Sequence, residues 1–250
     1  MTALQPSEPE PAKILRCTAA ILLTTCATCW LLGCHGQTEA PIAPPAEPSW
    51  REQVEAVKAG TSDRIEVHAE TIGDQQLAEL AELTNLRELI LAKSNLTDAG
   101  LSSLAELDAL ERVALFESAI GDTGLAHLVK LDKLKNLNLP DSRLTDEGAK
   151  QLEQFPKLEL LRLGSPRLSD AALLTIERLP NLRFLHLIDT PITDAGLETI
   201  RRMEKLESFY LDGSAATDDG LSALVKSRPD LHFHDDGRHV PQDPRAGHDQ

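Results

Sequence analysis

Five groups of residues in this 250-residue chain have types and spacings that could carry chemistry. Asp74, Asp98, Asp122, Asp146, Asp170, Asp194 and Asp218 recur every 24 residues, and a row of carboxylates is what a hard cation such as calcium requires. A hydroxyl recurs in the same rhythm at Ser94, Ser118, Ser142, Thr190 and Ser214, with Glu70 and Pro166 in the two remaining places. Such hydroxyls are candidate nucleophiles. Arg162 and His186, one interval apart, with Glu207 and Asp212 close behind, are types that could be catalytic. Cys26-Ala27-Thr28-Cys29 has redox spacing, and Cys29 with Cys34-His35 loosely suggests haem attachment. His232, His234 and His239 form a short tract that could hold a metal.

Most of these signals have a plainer reading in the elements that carry them. Gly73, Thr97, Gly121, Thr145, Ser169, Thr193 and Thr217 precede the seven aspartates and are good helix N-cap residues. An acid in the first turn then meets the helix dipole, worth about 0.3–1 kcal/mol. The aspartates are therefore expected to mark where helices begin, with no metal. The hydroxyl column is expected to bond backbone groups at a turn, because no His or acid recurs beside it and no G-x-S-x-G is present. The redox spacing lies inside an apolar run and the histidine tract at a degenerate end, so neither is assigned chemistry.

The interval itself is the main observation. In register, Ile65/Val67, Leu89/Leu91, Val113/Leu115, Leu137/Leu139, Leu161/Leu163, Leu185/Leu187 and Phe209/Leu211 alternate as short strands with one buried face. Ile72, Leu96, Ile120, Leu144, Leu168, Ile192 and Ala216 precede the aspartate motif. Steps of three at Leu101/Leu104/Leu107 and Leu125/Leu128/Leu131 give a helix with one buried stripe. Units of strand, turn and helix that repeat in this way stack into one continuous core.

Leu96-Thr97-Asp98-Ala99-Gly100-Leu101 and Ile192-Thr193-Asp194-Ala195-Gly196-Leu197 resemble the leucine-rich repeat family, in its ribonuclease-inhibitor and cysteine-containing subtypes. Units of that family carry L-x-L-x-x-(N/C/S/T) followed by L-T-D-x-G-L. The resemblance implies an α/β fold: a right-handed horseshoe of about seven 24-residue units with a parallel concave sheet, over residues 61–234. Leu221, Leu224, Leu231 and Phe233 keep part of the pattern, with one residue inserted near Pro229, as a C-terminal cap should. Residues 235–250 are polar and expected to be a disordered tail. At the other end Ser49-Trp50-Arg51-Glu52 has the spacing of a capping box, and Trp50, Val54 and Val57 give residues 49–60 a capping helix that Gly60 stops.

Ahead of the cap, Lys13 and Arg16 precede an apolar run from Cys17 to Leu32, too short to span a bilayer and suited to a signal peptide. It ends in Leu31-Leu32-Gly33-Cys34, which resembles the lipobox of bacterial lipoproteins. The resemblance implies removal of residues 1–33, lipidation of Cys34, and loss of the other three cysteines. Residues 34–48, with Pro41, Pro44, Pro45 and Pro48, then form a semi-rigid tether to a membrane.

A net charge of −15 disfavours nucleic acid as partner, since phosphate binding gains its affinity from Lys and Arg. The fold-free positions are the outward residues of the strands. Leu160, Arg162, Phe184, His186, Ile188 and Tyr210 gather there on three adjacent strands, and include the one tyrosine of the chain. Tyr, Arg and exposed Phe are enriched at binding hot spots. The expectation is a monomeric, non-enzymatic protein-binding module without cofactor, lipid-anchored in a bacterial envelope and binding a protein on its concave sheet. The alternatives are an envelope scaffold with convex-face contacts, and a hydrolase or sugar-binding enzyme using Arg162 and His186.

Overall fold

The computed structural model describes residues 47–235 and the backbone of Arg238–His239. Cys34, the apolar leader and the tether lie outside the described residues. The chain enters through α1 (Trp50–Lys58) and then runs through β1 (Arg64–Val67), α2 (Asp74–Leu77), β2 (Glu88–Leu91), β3 (Arg112–Leu115), α3 (Asp122–Leu128), β4 (Asn136–Leu139) and α4 (Asp146–Ala149). The later units are β5 (Leu160–Gly164), α5 (Asp170–Ile176), β6 (Phe184–Ile188), α6 (Asp194–Arg202), β7 (Ser208–Asp212), α7 (Asp218–Ser227), β8 (His232–Asp235) and β9 (Arg238–His239).

All nine strands form one open sheet in sequence order, and β1 to β8 are parallel neighbours. Every parallel partner is 24 residues away, so Leu89 pairs Val113, Leu137 pairs Leu161 and Leu185 pairs Phe209. This is the leucine-rich-repeat solenoid. Identical spacing puts the same column of each unit into the same place, and all seven expected strand pairs are buried. With Leu77, Leu101, Leu125, Leu152, Leu173 and Leu197 from the helical side they form one core that runs the length of the array.

The helical side is tighter in some units than an α-helix. Residues Ala78–Leu80, Gly100–Leu104 and Lys150–Gln154 are 3-10 turns. Leu101 and Leu104 sit one 3-10 turn apart, and a three-residue step is the 3-10 period itself.

Side chains secure both ends of the array. Ser49 caps α1, and its hydroxyl and Glu52 form the expected capping box. Trp50, Val54 and Val57 cover the first unit, and Gly60 turns the chain at φ +69°, its N–H donating to Val57 O while Thr61 N–H reaches Ala56 O. From α1 the Gln53 amide donates to Glu66 O and accepts from Glu66 N–H, both at 2.7 Å. It thereby satisfies the free edge of β1 as a neighbouring strand would. At the far end Arg228 is buried, donating to Met203 O and Leu206 O at 2.9 Å and pairing with Asp230. Leu231 comes 25 residues after Leu206, but Leu197 to Leu221 and Ser208 to His232 both keep 24, so the residue expected to be inserted near Pro229 is not there.

Two further expectations need correction. Asp235 and Arg238–His239, placed by their polarity in a tail, are on the sheet, with β9 pairing antiparallel to β8. In the fifth unit the exposed Pro166 is not the turn residue; the buried Ser165 is, donating to Leu144 O at 2.7 Å. Elsewhere Ser94 donates to Phe116 O and Ser142 to Gly164 O, as expected, Ser214 accepts from Ala216 N–H, and Ser118 bonds the Ser94 hydroxyl instead of a backbone group. Thr190 is the exception, its hydroxyl buried without a partner.

Candidate functional site

The aspartate ladder is built across units. Asp74, Asp122, Asp146, Asp170 and Asp194 each accept the backbone N–H of the next unit's Thr97, Thr145, Ser169, Thr193 or Thr217, at 2.8–2.9 Å. The hydroxyl of that same residue donates to the other carboxylate oxygen at 2.6–2.8 Å. Asp98 makes one such bond, to Gly121 N–H, since glycine has no hydroxyl. Six of the seven aspartates open a helix; Asp98 does not, and Thr97 caps none, because that unit begins as a 3-10 turn at Gly100. Gly148 and Gly220 lie against the carboxylates of Asp122 and Asp194, where a Cβ would come within 1.9 and 2.1 Å. From Asp74 to Asp194 the carboxylates thus fasten one unit to the next, and among the described residues no cluster of metal-binding side chains is present.

The open face of the sheet is where side chains are free of the core. Alternation sends Leu161, Leu163, Leu185, Leu187, Phe209 and Leu211 inward, and leaves Leu160 and Arg162, Phe184, His186 and Ile188, and Ser208, Tyr210 and Asp212 outward. Register then forms rows: Leu160, Phe184, Ser208 and His232; Arg162, His186, Tyr210 and His234; Gly164, Ile188 and Asp212. The six expected patch residues are all brought onto three neighbouring strands and are half-buried. Five of them, all but Ile188, line an open groove of about 430 Å³, which Asn138, Ser208 and His232 complete.

The groove contains more than the sequence reading placed there. His186 Nε2 lies 2.7 Å from Asp212 Oδ2, and its ring is 5.3 Å from that of Tyr210. Tyr210 stacks on His234 at 4.2 Å, and His234 Nε2 is 2.8 Å from His232 Nε2. Burial lowers the His186 pKa; the Asp212 hydrogen bond opposes this, and the Arg162 charge reinforces it. The imidazole is therefore neutral at neutral pH, with Nε2–H donating to Asp212. Arg162 lies with its guanidinium carbon 5.9 Å from the Phe116 ring centroid, and its Nε and Asn138 Oδ1 are both buried without a hydrogen-bond partner.

Phe116, Asn138, Asp212, His232 and His234 stand in the outward columns, yet sequence alone does not bring them into the patch. The signal available is their offset, since adding 24 to Arg162, His186 and Tyr210 gives His186, Tyr210 and His234 in turn. The His186–Asp212 pair has the form of a base with its orienting acid, but among the described residues no hydroxyl or thiol hydrogen-bonds to His186. On the first strands the same face differs. Glu88 there stands 3.5 Å from Arg64 and 4.0 Å from Arg112, an alternating charge ladder.

Residues 82–105 and 178–200 match the family model described as Leucine Rich repeat. Among solved structures the chain is similar to an internalin from Listeria monocytogenes, with a TM-score of 0.53 and 23% identity over 72% of this chain. A leucine-rich-repeat protein of Leptospira interrogans aligns with a TM-score of 0.48 and 22% identity, over 63% of this chain and 39% of that one. The chain spans about half the internalin's length, 48%. No curated protein matches the sequence.

Proposed function

We propose that the chain is a non-enzymatic protein-binding module that takes its partner on the open sheet face across β5, β6 and β7. The observation that carries the proposal is the groove of about 430 Å³, lined by Phe184, Tyr210, Leu160 and Arg162. Tyr and Arg are types that supply much of the binding energy at protein interfaces, and here they stand beside apolar Leu160 and Phe184 where the core makes no demand on them. The helical side offers little by comparison: among the described residues the exposed large hydrophobic side chain is Leu174.

The same reading includes the leader. Lys13, Arg16, the apolar run and Gly33-Cys34 support export and lipidation at Cys34, with residues 34–48 holding the repeats off a bacterial envelope membrane. The motifs around Asp98 and Asp194 support the ribonuclease-inhibitor and cysteine-containing subtypes.

Crosslinking in intact cells, followed by mass spectrometry, tests the face. Partner crosslinks are expected around Phe184 and Tyr210, and Phe184→Ala or Tyr210→Ala is expected to abolish them with the circular dichroism spectrum unchanged. Crosslinks confined to the helical side, or unaffected by both variants, reject the groove. The mass of the mature N-terminus tests the anchor separately, because an unlipidated Cys34 removes it.

A further inference from the structure

Among the described side chains three arginines stand on the open face of the sheet, and two of them have counter-ions. Arg64 contacts Glu66 and Glu88, and Arg112 lies 4.0 Å from Glu88. No carboxylate among the described residues comes within ion-pair distance of Arg162, whose Nε is buried without a partner. Its neighbours in register are Asn138 and His186, both neutral, in a chain whose net charge is −15. A half-buried guanidinium left unpaired costs free energy, and a carboxylate is the group that meets it best, through paired N–H donors. Beside it the row of Leu160 and Phe184 gives the groove an apolar wall.

We infer that this groove is a subsite for an acidic side chain flanked by an apolar one, on a segment of a partner protein. The acid sits on Arg162 and its apolar neighbour lies against Leu160 and Phe184. The inference rests on the open face being the binding surface, and charge complementarity selects the occupant.

Random peptides displayed on phage are selected against the full chain, and the enriched sequences are measured by fluorescence anisotropy against wild type, Arg162→Gln and Phe184→Ala. Circular dichroism first establishes that both variants are folded. Enriched peptides are expected to carry Asp or Glu beside Leu, Ile or Phe. Arg162→Gln is expected to weaken them by about tenfold or more. Changing the peptide's acid to its amide should weaken binding to wild type equally, and add little on Arg162→Gln. That peptide-side change keeps the test valid even where a variant fails to fold. Enrichment without acids, or no loss with the amide peptide, overturns the subsite. Peptides sensitive to Phe184→Ala but not to Arg162→Gln overturn it while leaving the face reading intact; indifference to both variants rejects both. Self-association of the chain that Arg162→Gln dissolves names a second copy as occupant, and overturns the proposal too.

Discussion

At His186 burial and a carboxylate pull in opposite directions, and burial wins. The unfolded chain takes up a proton near the ordinary histidine value of about 6.5, while the folded chain does so only at lower pH. Below about 6.5 the unfolded state therefore holds more protons, and stability falls as the solution is acidified toward the folded pKa. Urea midpoints measured between pH 7.5 and pH 5 should decline more steeply for wild type than for His186→Gln. Parallel slopes would show that His186 is not the depressed group. Glu111 does not confuse this window. Lys135, and then Arg87, hold its carboxyl down to about 2, so its contribution is complete above the ordinary carboxylate value and is lost only as pH falls toward 2. Its pairs are surface pairs, worth about 0.2–1 kcal/mol.

Among the elements, what was legible in the sequence is what recurs in the same chemical form. The strand pairs from Ile65/Val67 to Phe209/Leu211 could be read because burial demands the same residue type every 24 positions. The join between units was harder to read. Asp122 looks local, the first residue of α3, but its carboxylate reaches forward 23 residues to Thr145. Helix capping accounts for the acid without that contact, so nothing local demands it. Ser165 was hidden for another reason: β5 continues to Gly164, which passes so close to Pro140 O that a Cβ would come within 1.8 Å, and the turn shifts by one residue. The patch strands were readable from alternation, whereas the His186–Asp212 and Tyr210–His234 contacts depend on side-chain geometry. The ladder gives an ordered prediction. Asp122→Ala strands the Thr145 N–H and hydroxyl, for a loss of about 1–2 kcal/mol in urea denaturation. Asp98→Ala removes a single bond to Gly121 and should cost less. Equal losses would mean that the hydroxyl–carboxylate bond contributes nothing.

For the whole array, units touch mainly their neighbours in sequence, so the place of a change decides how far its effect travels. Leu139 is fully buried between β3 and β5, and Leu139→Ala should cost about 2–5 kcal/mol. Because it lies mid-array, both halves lose a neighbour, and hydrogen exchange should quicken on both sides of β4. Arg228 acts at the end. Its guanidinium donates to Met203 O and Leu206 O, the carbonyls where the preceding turn meets the last unit. Arg228→Met takes from Leu206 O its donor and leaves Met203 O with the Leu206 N–H alone, at about 1–3 kcal/mol. The loss should be local, with exchange quickening in α7, β7 and β8 while β2 to β5 keep their protection. Uniform quickening from β1 to β8 would instead show that the array unfolds as one unit. The groove lies on β5 to β7, next to this end, so the Arg228 variant also asks whether the binding face depends on the cap. If exchange spreads into β7, where Tyr210 and Asp212 stand, partner affinity should fall although no groove residue has changed.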